Sequence, residues 1–155
     1  MAERFSPQKA RELLLKQRFA SLSTLMADAS PYGSLVGYCM AENGAPVLLI
    51  SDLAWHTRHL KADPRGSLLI VDAAAPVALA GARVTVLGVF RQVEARLVRD
   101  SYLERHPDAA IYADFADFSF WQMEPQQVHV IAGFGRIETF AGSELLTPKA
   151  VKSGE

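Results

Sequence analysis

The sequence predicts an α+β fold in which a β-barrel of roughly six or seven strands carries a few helices. Short apolar runs typical of strands outnumber the helical segments. Turns of hairpin length join the early strands, which favours antiparallel pairing over a doubly wound parallel sheet. The length of 155 residues fits one domain.

The first predicted elements are a short helix followed by strands. Ser6 is suited to cap that helix, and Pro7 stands where a missing N–H costs nothing. Asn43-Gly44 predicts a hairpin turn, because both residues tolerate positive φ. Alternating or apolar runs predict strands at residues 19–25, 34–41 and 47–51.

The remainder of the chain is predicted to mix strands and helices. Ser51 or Asp52 can cap a helix over residues 53–62, which ends ahead of Pro64. Further strands are expected at residues 67–71, 83–94, 120–123, 127–132 and 136–140, with a helix at 96–106. The polar residues 142–155 predict a disordered tail, so the barrel domain is expected to cover residues 1–141.

Composition excludes several classes of function. Sixteen basic and seventeen acidic side chains give no electrostatic reason to expect nucleic acid or an anionic membrane as partner. The single cysteine, Cys39, cannot form an internal disulfide. No apolar run has the length of a signal peptide or a spanning helix. We therefore expect a cytoplasmic protein.

The segment from residue 51 to residue 60 is the most informative for function. It leaves a strand and starts a helix, where free N–H groups and the positive end of the helix dipole suit a phosphate. Arg58 could add a bidentate contact, and Ser51 and Thr57 are neutral donors. Alternatively, Ser51 or Asp52 only caps the helix and the basic side chains form a solvated face. The pattern alone leaves both interpretations open.

Other candidate residues carry weaker signals. His56 and His59 share one helical face, but a metal site needs further ligands with suitable spacing, so no metal is predicted. Arg83 starts a strand and either meets an anion or keeps its head group in water. Trp121 and Phe134 could face a planar ring or serve as core or interface aromatics.

Several segments together resemble the FMN-binding split-barrel proteins, the superfamily of pyridoxamine 5'-phosphate oxidase, and especially its haem-utilisation branch. The specific match is the run Ser51-Asp52-Leu53-Ala54-Trp55-His56-Thr57-Arg58. Weaker matches lie at residues 31–36, 63–69, 82–88, 102–107, 113–118 and 133–136. On this resemblance we expect a protein without the C-terminal extension common in the haem-utilising relatives.

This resemblance implies a six-stranded antiparallel split barrel that forms a homodimer with FMN at the subunit interface. It implies that the flavin ring lies beside the backbone of Ser34, Leu35 and Val36, with Arg83 approaching the ring. It places Ser51, His56, Thr57 and Arg58 around the phosphate. Trp121 and Phe134 are the residues it offers from the second subunit.

The function implied by the resemblance is that of a flavin-dependent oxidoreductase with an unidentified small-molecule substrate. No catalytic side chain is assigned, because the flavin itself would transfer the electrons. One alternative is a haem-binding or haem-degrading protein of the same fold, with a ligand histidine such as His129. The sequence is also compatible with a non-catalytic flavin-binding module and with a dimeric barrel that binds no flavin.

Overall fold

The computed structural model describes residues 5–133 and 135–147. These residues contain three α-helices and seven strands. The helices are α1 (Pro7–Lys16), α2 (Trp55–Ala62) and α3 (Ala95–Arg105). The strands are β1 (Phe19–Leu25), β2 (Pro31–Met40), β3 (Pro46–Ser51), β4 (Arg65–Val71), β5 (Arg83–Val93), β6 (Phe118–Ala132) and β7 (Arg136–Ala141).

The strands close into an antiparallel barrel. Their order is β3-β2-β1-β4-β5-β6-β7, and β3 also pairs with β6, which closes a ring of six strands. The long strand β6 makes this possible because its first residues pair with β3 and its last residues pair with β7. The predicted six-stranded antiparallel split barrel with flanking helices is confirmed.

The three helices pack against the barrel in different ways. Leu14 of α1 and Leu60 of α2 are both buried in the main core. The helix α3 lies against the outer surface of β2, β3 and β6, where Tyr102 packs with Leu49 and Phe120. Strand β3 is therefore buried on both of its faces, which accounts for its uninterrupted apolar run.

The strand β6 is continuous, whereas the sequence predicted two strands separated at Glu124-Pro125. The pairing of β5 with β6 shifts register between Leu87 and Gly88, and this bulge accommodates Pro125. A Cβ at Gly88 would clash with the carbonyl oxygen of Glu124. The proline thus marks a bulge rather than the end of a strand.

The start of α2 also differs from the prediction. The cap is Ala54, and none of the described residues provides a side-chain cap for this helix. The prediction that Ser51 or Asp52 caps it is wrong, because the chain makes a turn after β3 before the helix begins. The cap predicted for α1 is confirmed, since the Ser6 hydroxyl accepts a hydrogen bond from the Lys9 N–H.

The residues after β7 pack onto the barrel as far as they are described. Leu145 is fully buried in the main core. The Thr147 N–H donates to the Asn43 carbonyl at 2.8 Å, so this segment adheres to the β2–β3 turn. Disorder is predicted for residues 142–155, but residues 142–147 are ordered in the structure, and residues 148–155 lie outside the described residues. None of the described helices has both the length and the apolar character needed to cross a membrane.

We expect Leu145→Ala to lower the free energy of unfolding by about 2–5 kcal/mol, because it empties a fully buried site. Urea denaturation at one fixed protein concentration measures this change. Leu15→Ala is the matched control, since Leu15 lies on the exposed side of α1. Equal stability of the two variants would contradict a structural role for the segment after β7.

Candidate functional site

An open cleft lies on the outer side of the barrel, between strands β2 and β3 and the segment that contains α3. Its volume is about 340 Å³, within the range of small-molecule sites. Most of its walls are apolar or aromatic, and they include Phe19, Leu35, Leu49, His56, His106 and Tyr112. This lining suits a flat, largely apolar ligand.

A larger groove of about 710 Å³ lies between α1 and the loop after β4. It is open to solvent and lined by charged side chains of both signs, including Lys9, Glu12 and Asp72. None of the residues predicted to bind a cofactor lines this groove. We therefore assign the site to the smaller cleft beside β2 and β3.

The side of the cleft formed by α3 is fixed to β2 by stacking, hydrogen bonding and close packing. The rings of Tyr102 and His106 stack with centroids 4.6 Å apart. His106 Nε2 lies 2.7 Å from the Tyr38 carbonyl oxygen, which can only accept, so this nitrogen carries the proton. A Cβ at Gly37 would come within 2.9 Å of the Tyr102 hydroxyl. Burial lowers the pKa of His106, so the imidazole is held neutral.

His56 lies in the first turn of α2 and lines the other end of the cleft. Its Nδ1 atom is 3.2 Å from the Ser34 hydroxyl oxygen, which orients the ring. Burial, and secondarily the nearby His59, lowers the pKa of His56. Its Nε2 atom has no hydrogen-bond partner in the described part of the chain. A neutral, oriented imidazole of this kind can bind a metal centre brought by a ligand.

His59 has a different, structural environment. Its Nδ1 atom lies 2.9 Å from the hydroxyl of buried Thr24, and its ring meets Tyr32 edge-on at 5.1 Å. These contacts fix α2 against β1 and β2. Across residues 5–133 and 135–147, no three His, Cys, Asp or Glu side chains are grouped as a metal site.

The end of β3 is tied to the start of β6 through Asp117. The Ser51 hydroxyl donates to Asp117 Oδ2 at 2.8 Å and accepts from the Leu53 N–H at 3.1 Å. The Asp52 N–H donates to the Asp117 carbonyl at 2.7 Å. The hydroxyl proton of Ser51 is therefore already used in a hydrogen bond to a carboxylate.

The first turn of α2 presents one open cationic group. The side chain of Arg58 is exposed, and it makes no ion pair or hydrogen bond with any residue that the structure describes. Thr57 is fully buried, and its hydroxyl lacks a partner among the same residues. An anion could reach Arg58, whereas Thr57 faces the protein interior.

The structure brings together part of the predicted set of site residues. Leu35, Val36, Ser51 and His56 line the cleft, with Ser34 bonded to His56. Trp121 is only 4% exposed and packs in the barrel core, away from the cleft. Arg83 does not line the cleft either, and its buried Nε has no partner among the described residues. Phe134 lies outside the described residues.

Sequence reasoning missed several residues of the cleft. Phe19, His106 and Tyr112 line it, and Asp117 holds Ser51 at its edge. The sequence pattern indicates His106 only as the end of a helix before Pro107. The signal that could have found it is the packing of α3 onto β2, which depends on the small Gly37.

Within the part of the chain that the structure describes, no α-helix covers one face of the barrel. Across β1, β4, β5, β6 and β7, the outward residues Ser21, Leu69, Thr85, His129 and Thr139 form a paired row. Leu35 pairs with Ser21 at the end of this row and also lines the cleft. Leu69, Val71, Leu87 and Ile137 are between 39% and 63% exposed. We call this surface the open sheet face.

The closed six-stranded barrel with its flanking helices defines a split-barrel protein. The family model described as pyridoxamine 5'-phosphate oxidase matches residues 6–132, and the chain belongs to this family.

Similar proteins include haem-binding members of this fold. The chain is 37% identical over 138 residues to the chloroplastic heme oxygenase HOZ of Arabidopsis thaliana, covering 85% of the chain and 42% of HOZ. A heme-binding protein from Mycobacterium smegmatis shares 35% identity with a TM-score of 0.86, over 94% of this chain and 61% of that one. The chain thus spans about two fifths and three fifths of the lengths of these two relatives.

A more distant structure shares the fold alone. HutZ, a heme storage protein from Vibrio cholerae, is 21% identical with a TM-score of 0.69, over 84% of this chain and 96% of HutZ. The common fold across these proteins does not determine which ligand each one binds. The ligand has to be argued from the cleft.

Proposed function

We propose that the protein binds haem in the cleft between β2, β3 and α3. The observation that carries this proposal is the neutral, oriented imidazole of His56 at the edge of an apolar cleft. Haem needs an axial ligand for its iron and an apolar surface for its macrocycle. When bound, it would supply a redox-active iron centre.

The hydrogen bond between Ser34 and His56 supports an axial role for His56. Metal-ligating histidines usually have a hydrogen-bond partner on the second ring nitrogen, which fixes the tautomer and the ring orientation. The Ser34 hydroxyl occupies that position in this site. His129, the ligand suggested from the sequence, bonds to Thr139 on the open sheet face and does not line the cleft. His56 therefore replaces it as the candidate ligand.

We further propose that a second copy of the chain covers the open sheet face. The paired row from Leu35 to Thr139 contains no carboxylate, lysine or arginine, and Arg83 lies in the adjacent row between Val71 and Ile131. Two copies can therefore meet through the uncharged row around a twofold axis. Exposed aliphatic side chains next to one another favour such an interface. Because Leu35 belongs to both surfaces, the second copy would close the open side of the cleft.

The haem proposal is tested by adding a charge to the cleft without disturbing the fold. Leu35 is 77% exposed, so Leu35→Glu is expected to leave the barrel folded and to weaken haemin binding by more than about tenfold. The measurement is a haemin titration followed at the Soret band. Leu15→Glu, on exposed α1, is the control. If both variants bind haemin like the wild type, the cleft is not the site.

FMN is the second candidate ligand, and the open start of α2 favours it. This helix has no side-chain cap, and the exposed Arg58 next to it could bind a phosphate. An FMN-bound form would be a flavin-dependent oxidoreductase, with the flavin transferring electrons. In a flavin fluorescence titration, Arg58→Ala would weaken FMN binding, and Arg91→Ala, at another exposed arginine, would not. No saturable FMN binding by the wild type would remove this candidate.

A further inference from the structure

The carboxylate of Asp117 stands at the junction between β3 and α2, beside the helix start considered above for the phosphate of FMN. It accepts the proton of the Ser51 hydroxyl at 2.8 Å, and Ser51 in turn accepts from the Leu53 N–H just before α2. Ser51 therefore presents only lone pairs to a further ligand. The Ser51 hydroxyl, which the sequence analysis offered as a donor to phosphate, already donates to the carboxylate of Asp117.

The charge of Asp117 is not neutralised by an ion pair with any described residue. Two neighbouring carboxylates differ in this respect, since Asp52 pairs with Lys61 at 3.0 Å and Asp114 pairs with Arg99 at 2.8 Å. The Asp117 carbonyl is also held by the Asp52 N–H, so the backbone cannot easily carry the carboxylate away. A phosphate bound by the exposed Arg58 at the start of α2 would therefore also meet the negative charge of Asp117.

We propose that Asp117 is a specificity-determining residue that disfavours ligands with a phosphate at the α2 end of the cleft. This inference rests on the proposed function, in which the cleft holds a cofactor. The ligand class it selects is a planar molecule without phosphate at that end. Haem belongs to this class because its negative charges lie on two flexible propionates, whereas FMN carries one phosphate on its ribityl chain.

The test compares two flavins that share the ring and differ in the phosphate. Purified wild-type, Asp117→Asn and Asp114→Asn proteins are titrated with FMN and with riboflavin, with flavin fluorescence as the readout. Asp117→Asn is expected to bind FMN about tenfold or more tightly than the wild type, because the repulsion is removed. The affinity for riboflavin is expected to stay unchanged. Asp114→Asn, at an exposed aspartate of the same segment, should leave both affinities unchanged.

Two further variants keep the test decisive if Asp117→Asn does not fold. Asp117→Gln is a second neutral replacement with the same expected gain for FMN, and Asp117→Glu retains the charge and should retain the weak FMN binding. An equal gain for riboflavin would contradict the proposal, because it would reveal a change of shape rather than charge. Unchanged FMN binding in both neutral variants would contradict it as well.

The same samples separate this inference from the proposed function. Haemin titration of the wild type reports on the haem proposal alone. A wild type that does not bind haemin, together with a gain for FMN in Asp117→Asn, would overturn the haem proposal and support the role of Asp117. Haemin binding without any FMN gain would support the haem proposal and overturn the role of Asp117.

Discussion

Replacing His56 with alanine is expected to weaken haemin binding by more than about 100-fold, because removing only the hydrogen-bond partner of a metal-bound histidine already costs about 10–100-fold. The Soret band of any residual complex should also shift, since the axial ligand is lost. His129→Ala is the matched control, because His129 is bonded to Thr139 outside the cleft. Equal loss in both variants, or in neither, would contradict an axial role for His56.

The pH dependence of haemin binding follows from the pKa of His56. Burial and His59 lower this pKa from its ordinary value of 6.5, so the neutral ring persists in the folded protein to a lower pH than in a free histidine. Because a protonated ring cannot bind iron, we expect affinity to hold as the pH falls to about 6.5 and to decline only below it. Titrations across this range measure the midpoint, and a midpoint above 6.5 would argue against His56.

The double variant Leu69→Asp, Leu87→Asp is expected to convert the dimer to a monomer. Both leucines lie on the open sheet face and are 41% and 39% exposed, so a free monomer can tolerate the change. In the proposed dimer each substitution would bury an unpaired carboxylate, which costs several kcal/mol. Each substitution occurs in both chains of a twofold dimer, so its cost to the free energy of association is doubled. The dimer dissociation constant should therefore rise by more than about 100-fold.

Sedimentation at micromolar protein concentration distinguishes these outcomes. Leu97→Asp is the control, because Leu97 is 62% exposed on α3 and lies away from the open sheet face. The wild type and this control should sediment as dimers. A monomeric wild type, or a double variant that stays dimeric, would contradict the placement of the second copy. Monomers should also bind haemin more weakly, because one side of the cleft is then left open.

Elements set by local patterning were predictable from the sequence. The alternation in residues 19–25 is reproduced as alternating burial in β1, and Ser6 caps α1. The turn at Asn43-Gly44 forms, although only Gly44 takes a positive φ. These features depend on neighbours within a few residues, which a single sequence displays directly.

Features that depend on distant partners were not predictable. The continuity of β6 past Pro125 requires a bulge opposite Gly88 on another strand. The hydrogen bond donated by the Ser51 hydroxyl depends on Asp117, which lies far along the chain. His106 reaches the cleft only because Gly37 allows α3 to dock on β2. The compartment, the redox activity and the role of Phe134 stay predictions from the sequence.

Haem binding in the cleft is tested most directly by a stoichiometric haemin titration of the wild-type protein, followed at the Soret band and repeated with excess FMN. We predict saturation at one haem per chain, in the dimer, with little displacement by FMN because Asp117 disfavours its phosphate. A linear, unsaturated response would show that the cleft does not bind haem. Displacement of the bound haem by excess FMN would instead show that both ligands bind the cleft and would contradict the selectivity assigned to Asp117.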